Sequence, residues 1–327
     1  ASDVYKRQVK NDDEKKSGTC MIWKEIRQML DESYPEAALV SEWNRPELAI
    51  PAGFHMDFCL DWGGNCYNLL MRDLKDGVNN SFFRKSSTRS ILDFFGEYLQ
   101  SYEQIKKKGH YCLITGNHDT ERTSYYLDVR ALKLAYAFLF TMPGNPFLYY
   151  GDEIGMRYQA QLITKEGGYT RTGSRTPMQW DDTKNHGFSS ADAEMLYLPV
   201  DITPDAPTVA AQEQDSESLL HMVKEILKIR GEKEDLKDNG NLELLYGKEG
   251  ERAFAYCRGG LLMMCNPSGQ EAVLEEKLLS GPNRSKTELL SGRTELLGAE
   301  KLFEIGSTEY ADGRFTLGAQ SFVIWQI

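Results

Sequence analysis

The chain is short of the features that mark membrane, nucleic-acid and disulfide-stapled proteins. Its most apolar stretch runs from Ala131 to Phe140 and on toward Tyr150, but Pro143, Gly144 and Pro146 interrupt it. It is therefore too short to span a bilayer, and no membrane partner is expected. No basic run exceeds Lys106-Lys107-Lys108 and the formal net charge is −11, which argues against a nucleic-acid partner and suits an uncharged, sugar-like ligand. The six cysteines are scattered and include no C-x-x-C pair. Cys59, Cys112, Cys257 and Cys265 lie in apolar, strand-like runs where thiols pack as small hydrophobes, which points to a reducing compartment and a cytoplasmic chain. His55, His110, His186 and His221 show no ligand spacing, so neither a metal nor a cofactor is expected. There is no internal repeat and no low-complexity segment.

What remains is an ordinary globular composition. The 327 residues are 41% hydrophobic and 27% charged, enough for one large domain and a smaller one. The first residues do not look native. Asp3 to Gln8 back-translates to the transposon-end adaptor of sequencing libraries, so residues 1–8 are expected to be a cloning or assembly scar, with the native gene continuing upstream and any signal peptide not legible.

From Met21 to Leu30, the residues Met21, Ile22, Ile26, Met29 and Leu30 recur at helical spacing, and Tyr34-Pro35 stops that helix ahead of a strand at Ala37 to Val40. The alternation continues with a strand at Gly53 to Leu60, a helix at Arg89 to Lys106, a strand at Tyr111 to Thr115, a helix at Arg130 to Phe140, a strand at Pro146 to Tyr150 and a helix at Ser218 to Ile229. Strands that alternate with helices demand a parallel sheet, so the fold class is α/β. Between the fourth strand and the last helix lies a Gly-, Thr-, Asp- and Pro-rich excursion, residues 154–217, whose length predicts a functional loop. From about residue 238 onward, short apolar or alternating runs separated by Gly, Asn and Ser predict an antiparallel β domain. The expected division is therefore 9–237 and 238–327.

Two of the predicted strands end in carboxylates. Ala37-Ala38-Leu39-Val40 runs into Ser41-Glu42-Trp43-Asn44, and Tyr111-Cys112-Leu113-Ile114 into Thr115-Gly116-Asn117-His118-Asp119. Two carboxylates at the carboxyl edge of a parallel sheet suggest glycosidic-bond chemistry. Glu42, set against Trp43, would have its pKa raised toward that of a general acid working near neutral pH; a solvated loop glutamate is the plainer alternative. Asn117, His118 and Asp119 are either a catalytic edge or turn and cap residues. Arg122 and Arg175 are candidates to hydrogen-bond a sugar, or exposed arginines. Trp43 and Trp180 are candidates to stack on the apolar face of a sugar ring, or core residues. Asp152-Glu153 is expected to order its loop rather than react.

Four segments then carry a resemblance: Ala38-Leu39-Val40-Ser41-Glu42-Trp43, Ile114-Thr115-Gly116-Asn117-His118-Asp119, Phe147-Leu148-Tyr149-Tyr150-Gly151-Asp152-Glu153-Ile154-Gly155-Met156 and Ser174-Arg175-Thr176-Pro177-Met178-Gln179-Trp180-Asp181. Their order and spacing resemble the α-amylase family (glycoside hydrolase family 13), and the last is most similar to its α-glucosidase, oligo-1,6-glucosidase and trehalose synthase branch. The likeness covers roughly residues 20–327. It implies a (β/α)8 TIM barrel with its active site at the carboxyl ends of the strands, of which this chain holds the C-terminal half, the fifth to eighth strands, followed by a C-terminal antiparallel β-sandwich domain. It implies Glu42 as general acid/base, Asp119 as transition-state stabiliser and His118 as hydrogen-bond donor to the same sugar; Asn117, Arg122, Arg175 and Trp43 stand beside them as further substrate-binding candidates.

A retaining mechanism also needs a nucleophilic Asp about 5 Å from the acid. In the family it precedes the acid, on the fourth strand, and that segment is not in this sequence. Gly53-Phe54-His55-Met56-Asp57 mimics its motif but follows Glu42 and carries His55 in place of Arg, so Asp57 is assigned to the sixth strand and no nucleophile is expected in this chain. The resemblance thus implies an N-terminally truncated, retaining α-glucosidase-type hydrolase whose substrate partner is a short α-glucan oligosaccharide. The chain itself is expected to be inactive and poorly stable. A trehalose synthase-like isomerase or other transglycosylase, a non-catalytic sugar-binding or transporter-subunit relative, and a short protein that completes its barrel with another chain are the alternatives.

Overall fold

A computed structural model describes residues 13–163, 171–237, 239–279 and 299–327; the expected scar at residues 1–8 lies outside them. Helix α1, Asp13–Ser33, leads to strand β1, Val40–Ser41, the short helix α2, Pro46–Ala49, and β2, Met56–Cys59. Helix α3, Cys66–Met71, and a small hairpin of β3, Leu74–Lys75, and β4, Val78–Asn79, come before helix α4, Leu92–Ile105, and strand β5, His110–Leu113. Strands β1, β2 and β5 pair side by side and parallel, Val40 with Met56 and Met56 with His110.

The fourth predicted strand is reduced to a single parallel bridge between Ile114 and Phe147. A side chain cuts it short: the Tyr149 N–H donates to Thr115 Oγ1 at 3.0 Å instead of to a neighbouring carbonyl. The chain then turns at Gly151, with φ of +83°. Only glycine fits there, because a Cβ would also strike the Met156 side chain. Strand β2 likewise starts later than expected, since Gly53 takes φ of +113° with its Cα facing the Trp23 carbonyl.

The helices follow from caps and stripes. Helix α5, Val129–Thr141, starts where the Asp128 carboxylate accepts the Ala131 N–H at 2.8 Å, and it is buried nearly all round. Helix α6, Val209–Glu213, closes the 154–217 excursion, whose described residues include 3₁₀ turns at Thr172–Ser174, Lys184–Gly187 and Ala193–Met195. Helix α7, Leu219–Glu232, is capped by Ser218 and packs on α5, and α8, Glu234–Lys237, follows it. Among the described residues no helix is long and apolar enough to cross a membrane.

The rest is antiparallel. Strands β6, Leu242–Tyr246, β7, Phe254–Arg258, β8, Leu261–Asn266, β9, Ala272–Glu275, β10, Glu300–Ile305, β11, Thr308–Ala311, β12, Arg314–Leu317, and β13, Ser321–Gln326, form a five-stranded sheet in the order β10-β13-β8-β7-β6 and a three-stranded sheet in the order β11-β12-β9. The larger sheet is covered on both faces. Phe254, Tyr256, Met263, Cys265, Phe322 and Ile324 join the core of α4, α5 and α7, whereas Ala255, Cys257, Leu262, Met264 and Val323 join Leu274, Phe315 and Leu317 of the smaller sheet. Alternation therefore persists in geometry while it vanishes in sequence, because both faces are apolar.

Phe138 of α5 stands at the junction of the two regions. Its ring meets those of Phe94, Phe95, Phe254 and Tyr256 edge-on or tilted, with centroids 5.5, 6.2, 5.7 and 5.6 Å away. Beside it, Arg258 is fully buried and donates to the Thr141 carbonyl at 2.7 Å. Arg230 reaches the Phe140 and Met142 carbonyls at 2.7 and 2.9 Å, so guanidinium groups satisfy the last carbonyls of α5.

Candidate active site

The parallel segments bring their carboxyl ends to one edge, and the loops leaving that edge carry the predicted site residues. Glu42 follows β1 directly and its side chain is exposed. Trp43 turns toward the small core of Ala49, Ala52 and Phe54, because the loop is drawn inward at alternate residues. The half-buried Trp43 packs as the core alternative has it, and it leaves the Glu42 side chain exposed.

What fixes this loop is Asp57, which sequence reasoning treated only as a mimic of the nucleophile. Asp57 is fully buried on β2. One carboxylate oxygen accepts from the Ser41 hydroxyl and from the Trp43 N–H at 3.0 Å, and the other from the Arg45 N–H at 2.6 Å. Burial pushes its pKa up, against the opposing pull of these hydrogen bonds. The carboxylate is thus spent on the loop that carries Glu42.

Asp119 lies in the loop after β5, two strand positions from β1, or about 9–10 Å at the usual strand spacing. The loop is an Asn-turn: Asn117 Oδ1 accepts the Asp119 N–H at 2.9 Å and the Thr120 hydroxyl at 3.1 Å. Two arginines and a histidine surround the partly exposed Asp119 carboxylate. Arg171 Nη1 lies 3.0 Å from Oδ1, Arg175 Nη2 3.1 Å and His118 Nε2 3.4 Å. Arg175 also donates through Nε to the His118 carbonyl at 2.8 Å. The structure therefore unites Asn117, His118, Asp119 and Arg175, and adds Arg171, whose position four residues before Arg175 was the available signal.

Arg122 departs from its expected role. It is fully buried, so it cannot touch a substrate. Its Nη1 donates to Asp152 Oδ1 at 2.9 Å and to the Tyr150 carbonyl at 2.8 Å, and its guanidinium lies 5.1 Å from the ring centres of Tyr149 and Tyr150. Asp152 Oδ2 accepts from Thr115 Oγ1 at 2.7 Å, and Arg72 Nη2 donates to the Thr115 carbonyl at 2.8 Å. This network underlies the Asp119 loop. It also explains Gly116, where a Cβ would meet Asp152 and Arg72 at 3.0 and 3.1 Å. Asp152 is raised in pKa by burial despite its arginine. Among the described residues no group of three His, Cys, Asp or Glu is gathered as a metal site requires.

Comparison with known proteins completes the picture. Residues 5–239 match the family described as alpha amylase, catalytic domain. The trehalose synthase/amylase TreS of Mycobacterium tuberculosis is 41% identical over 107 residues, 32% of this chain and 17% of that protein. Maltase A2 of Drosophila melanogaster is 32% identical over 117 residues, 36% of this chain and 20% of the maltase. Among solved structures, the trehalose-6-phosphate hydrolase of Bacillus licheniformis superposes with a TM-score of 0.69 at 19% identity, covering 94% of this chain and 58% of the hydrolase. Eubacterium rectale Amy13B gives a TM-score of 0.67 at 19% identity, covering 95% of this chain and 56% of that one. At such identity the structures speak for a shared fold, and the match spans little more than half of each.

Proposed function

Because this chain belongs to the α-amylase family of glycoside hydrolases, we propose that it carries the acid/base half of a retaining site for α-glucosidic bonds. Glu42 is the general acid/base, Asp119 stabilises the oxocarbenium-like transition state, and His118, Asn117 and Arg175 hold the sugar. The observation that carries the reading is the Asp119 carboxylate on the same sheet edge as Glu42, gripped by Arg171 and Arg175. In this reading the four parallel segments are the fifth to eighth strands of a (β/α)8 barrel, and the two antiparallel sheets are its C-terminal β-sandwich domain.

Asp57 has both oxygens engaged by the loop it supports, so we assign it no covalent role and propose that the chain does not hydrolyse α-glucosides by itself. Two measurements test this. Calorimetric titration with maltose and with trehalose should give saturable binding that Asp119→Ala abolishes; no binding of either sugar overturns the α-glucoside reading. An assay on 4-nitrophenyl α-glucoside should give no turnover dependent on Glu42, and such turnover would overturn this proposal. A second reading, isomerisation or glucosyl transfer, is favoured by the identity to trehalose synthases of 36–41% over the matched segments. It predicts tighter binding of trehalose than of an isomaltose-type disaccharide.

A further inference from the structure

The segment from Gly53 to Asp57 holds one polar side chain whose task is still open. His55 is partly buried just before β2 and faces the residue that precedes β1. The Leu39 carbonyl accepts the His55 N–H at 3.0 Å and the Met56 N–H at 3.3 Å. In return, the Leu39 N–H donates to His55 Nδ1 at 3.0 Å. A side chain has thus taken the place of a strand partner at the amino end of β1, while Asp57 holds the carboxyl end through Ser41 and Trp43. Strand β1 is only two residues long, and Glu42 follows it directly. Whatever grips Leu39 therefore helps to set where Glu42 stands.

A ring nitrogen that accepts a hydrogen bond carries no proton, so this contact requires a neutral imidazole with its hydrogen on Nε2. The surroundings favour that form. Burial is the main cause that lowers the pKa of His55, followed by the Arg27 guanidinium of α1; Asp31 of α1 pulls the other way, and His110 of β5 adds to the lowering. Asp31 is a weak counterweight. Its Oδ1 lies 3.9 Å from His55 Nε2, and both its oxygens accept from Arg27 Nε, at 2.8 and 2.9 Å. His110 is held alongside, its N–H donating to the His55 carbonyl at 3.0 Å. A proton on Nδ1 would turn the acceptor into a donor and leave the Leu39 N–H without a partner.

We propose that His55 is a pH-sensitive positioning residue: as a neutral imidazole it clasps β1 beside β2, and on protonation it releases Leu39 and loosens the segment that carries Glu42. The clasp is a property of the strand pair and stands whether or not the α-glucoside reading does. Its folded-state pKa lies below the ordinary 6.5, so the released, solvated ring takes a proton more readily than the clasped one. The clasp is therefore complete above 6.5 and is lost as pH falls through the folded value.

Hydrogen exchange of the full chain, followed by NMR and corrected for the intrinsic pH dependence of exchange, tests this. Protection of the Leu39 amide should fall about tenfold between about pH 8 and about pH 5, because the released form gains up to about tenfold for each unit below the ordinary histidine value. His55→Asn offers an acceptor near the Nδ1 position but does not titrate, and it should keep that amide protected at both ends of the range. His55→Ala should leave it unprotected at both. In the native chain the nitrogen-15 shifts of the ring should report the Nε2–H tautomer at the higher pH. Leu39 protection that does not change with pH in the native chain, or an Nδ1–H tautomer, overturns the clasp. A fall that persists in His55→Asn assigns the titration to Asp57 and overturns it as well.

Discussion

The loops that carry Glu42 and Asp119 leave the same sheet edge, yet they are held by opposite means. The Glu42 loop is pinned by its own backbone: two N–H groups and one hydroxyl converge on the buried Asp57 of the neighbouring strand. The Asp119 loop is pinned from outside, by arginines that arrive from the excursion more than fifty residues later. Beneath it lies a second, buried tier of charge, Arg122 with Asp152. A short-range anchor makes the acid's position a property of the sheet. A long-range anchor makes the clamp depend on how the excursion folds.

The largest effect expected from breaking this arrangement is at Arg122. Arg122→Ala leaves the fully buried Asp152 without its cation, and loss of one partner of a buried pair costs about 3–5 kcal/mol. Urea unfolding should register that cost, and a loss under ~1 kcal/mol would mean that Asp152 is held by Thr115 alone. Asp57→Asn comes next. The amide would turn a donor toward the Trp43 or Arg45 N–H, at a cost of about 1–3 kcal/mol.

Its pH dependence sharpens the contrast. Asp57 has a folded-state pKa raised above the ordinary 3.8. The folded chain therefore holds that proton more tightly than the unfolded chain, and the associated stability is full below 3.8 and is lost as pH rises through the folded value. The stability advantage of the native chain over Asp57→Asn should shrink accordingly as pH rises from the acid side. A constant difference would refute the buried-carboxylate account. Arg175→Ala should have the smallest effect on stability, under ~1 kcal/mol, because the pair is partly exposed. It should nevertheless weaken sugar binding, and added salt should mimic it in part. An effect confined to stability would reduce Arg175 to a structural role.

Much of this was legible in the sequence where local pattern and packing agree. The helix at Arg130 to Phe140 was clear because Asp128 caps a run free of Gly and Pro. The Asn117-His118-Asp119 cluster was clear because an apolar strand delivers it. Arg122 was misread because sequence places it near Asp119 but does not say that Thr115, Asp152 and Arg72 close over it. Trp43 stayed open between sugar and core for a related reason: its packing depends on α2, a helix too short to announce itself. The fourth strand shrank because a threonine side chain took the place of a backbone partner, a substitution that no periodicity records. The antiparallel pairing of β7 and β8 was legible in their short apolar runs, whereas the covering of both their faces was not.

That double covering has a consequence in time as well as in space. Strands β7 and β8 belong at once to the core around Phe138 and to the core between the two sheets. Opening either strand exposes both, so no small fluctuation reaches their amides. Their hydrogens should exchange with solvent only through the rarest openings of the molecule, while amides at the frayed edge of β1 exchange far sooner. The slowest clock among the described residues is then set by a sheet that carries neither Glu42 nor Asp119.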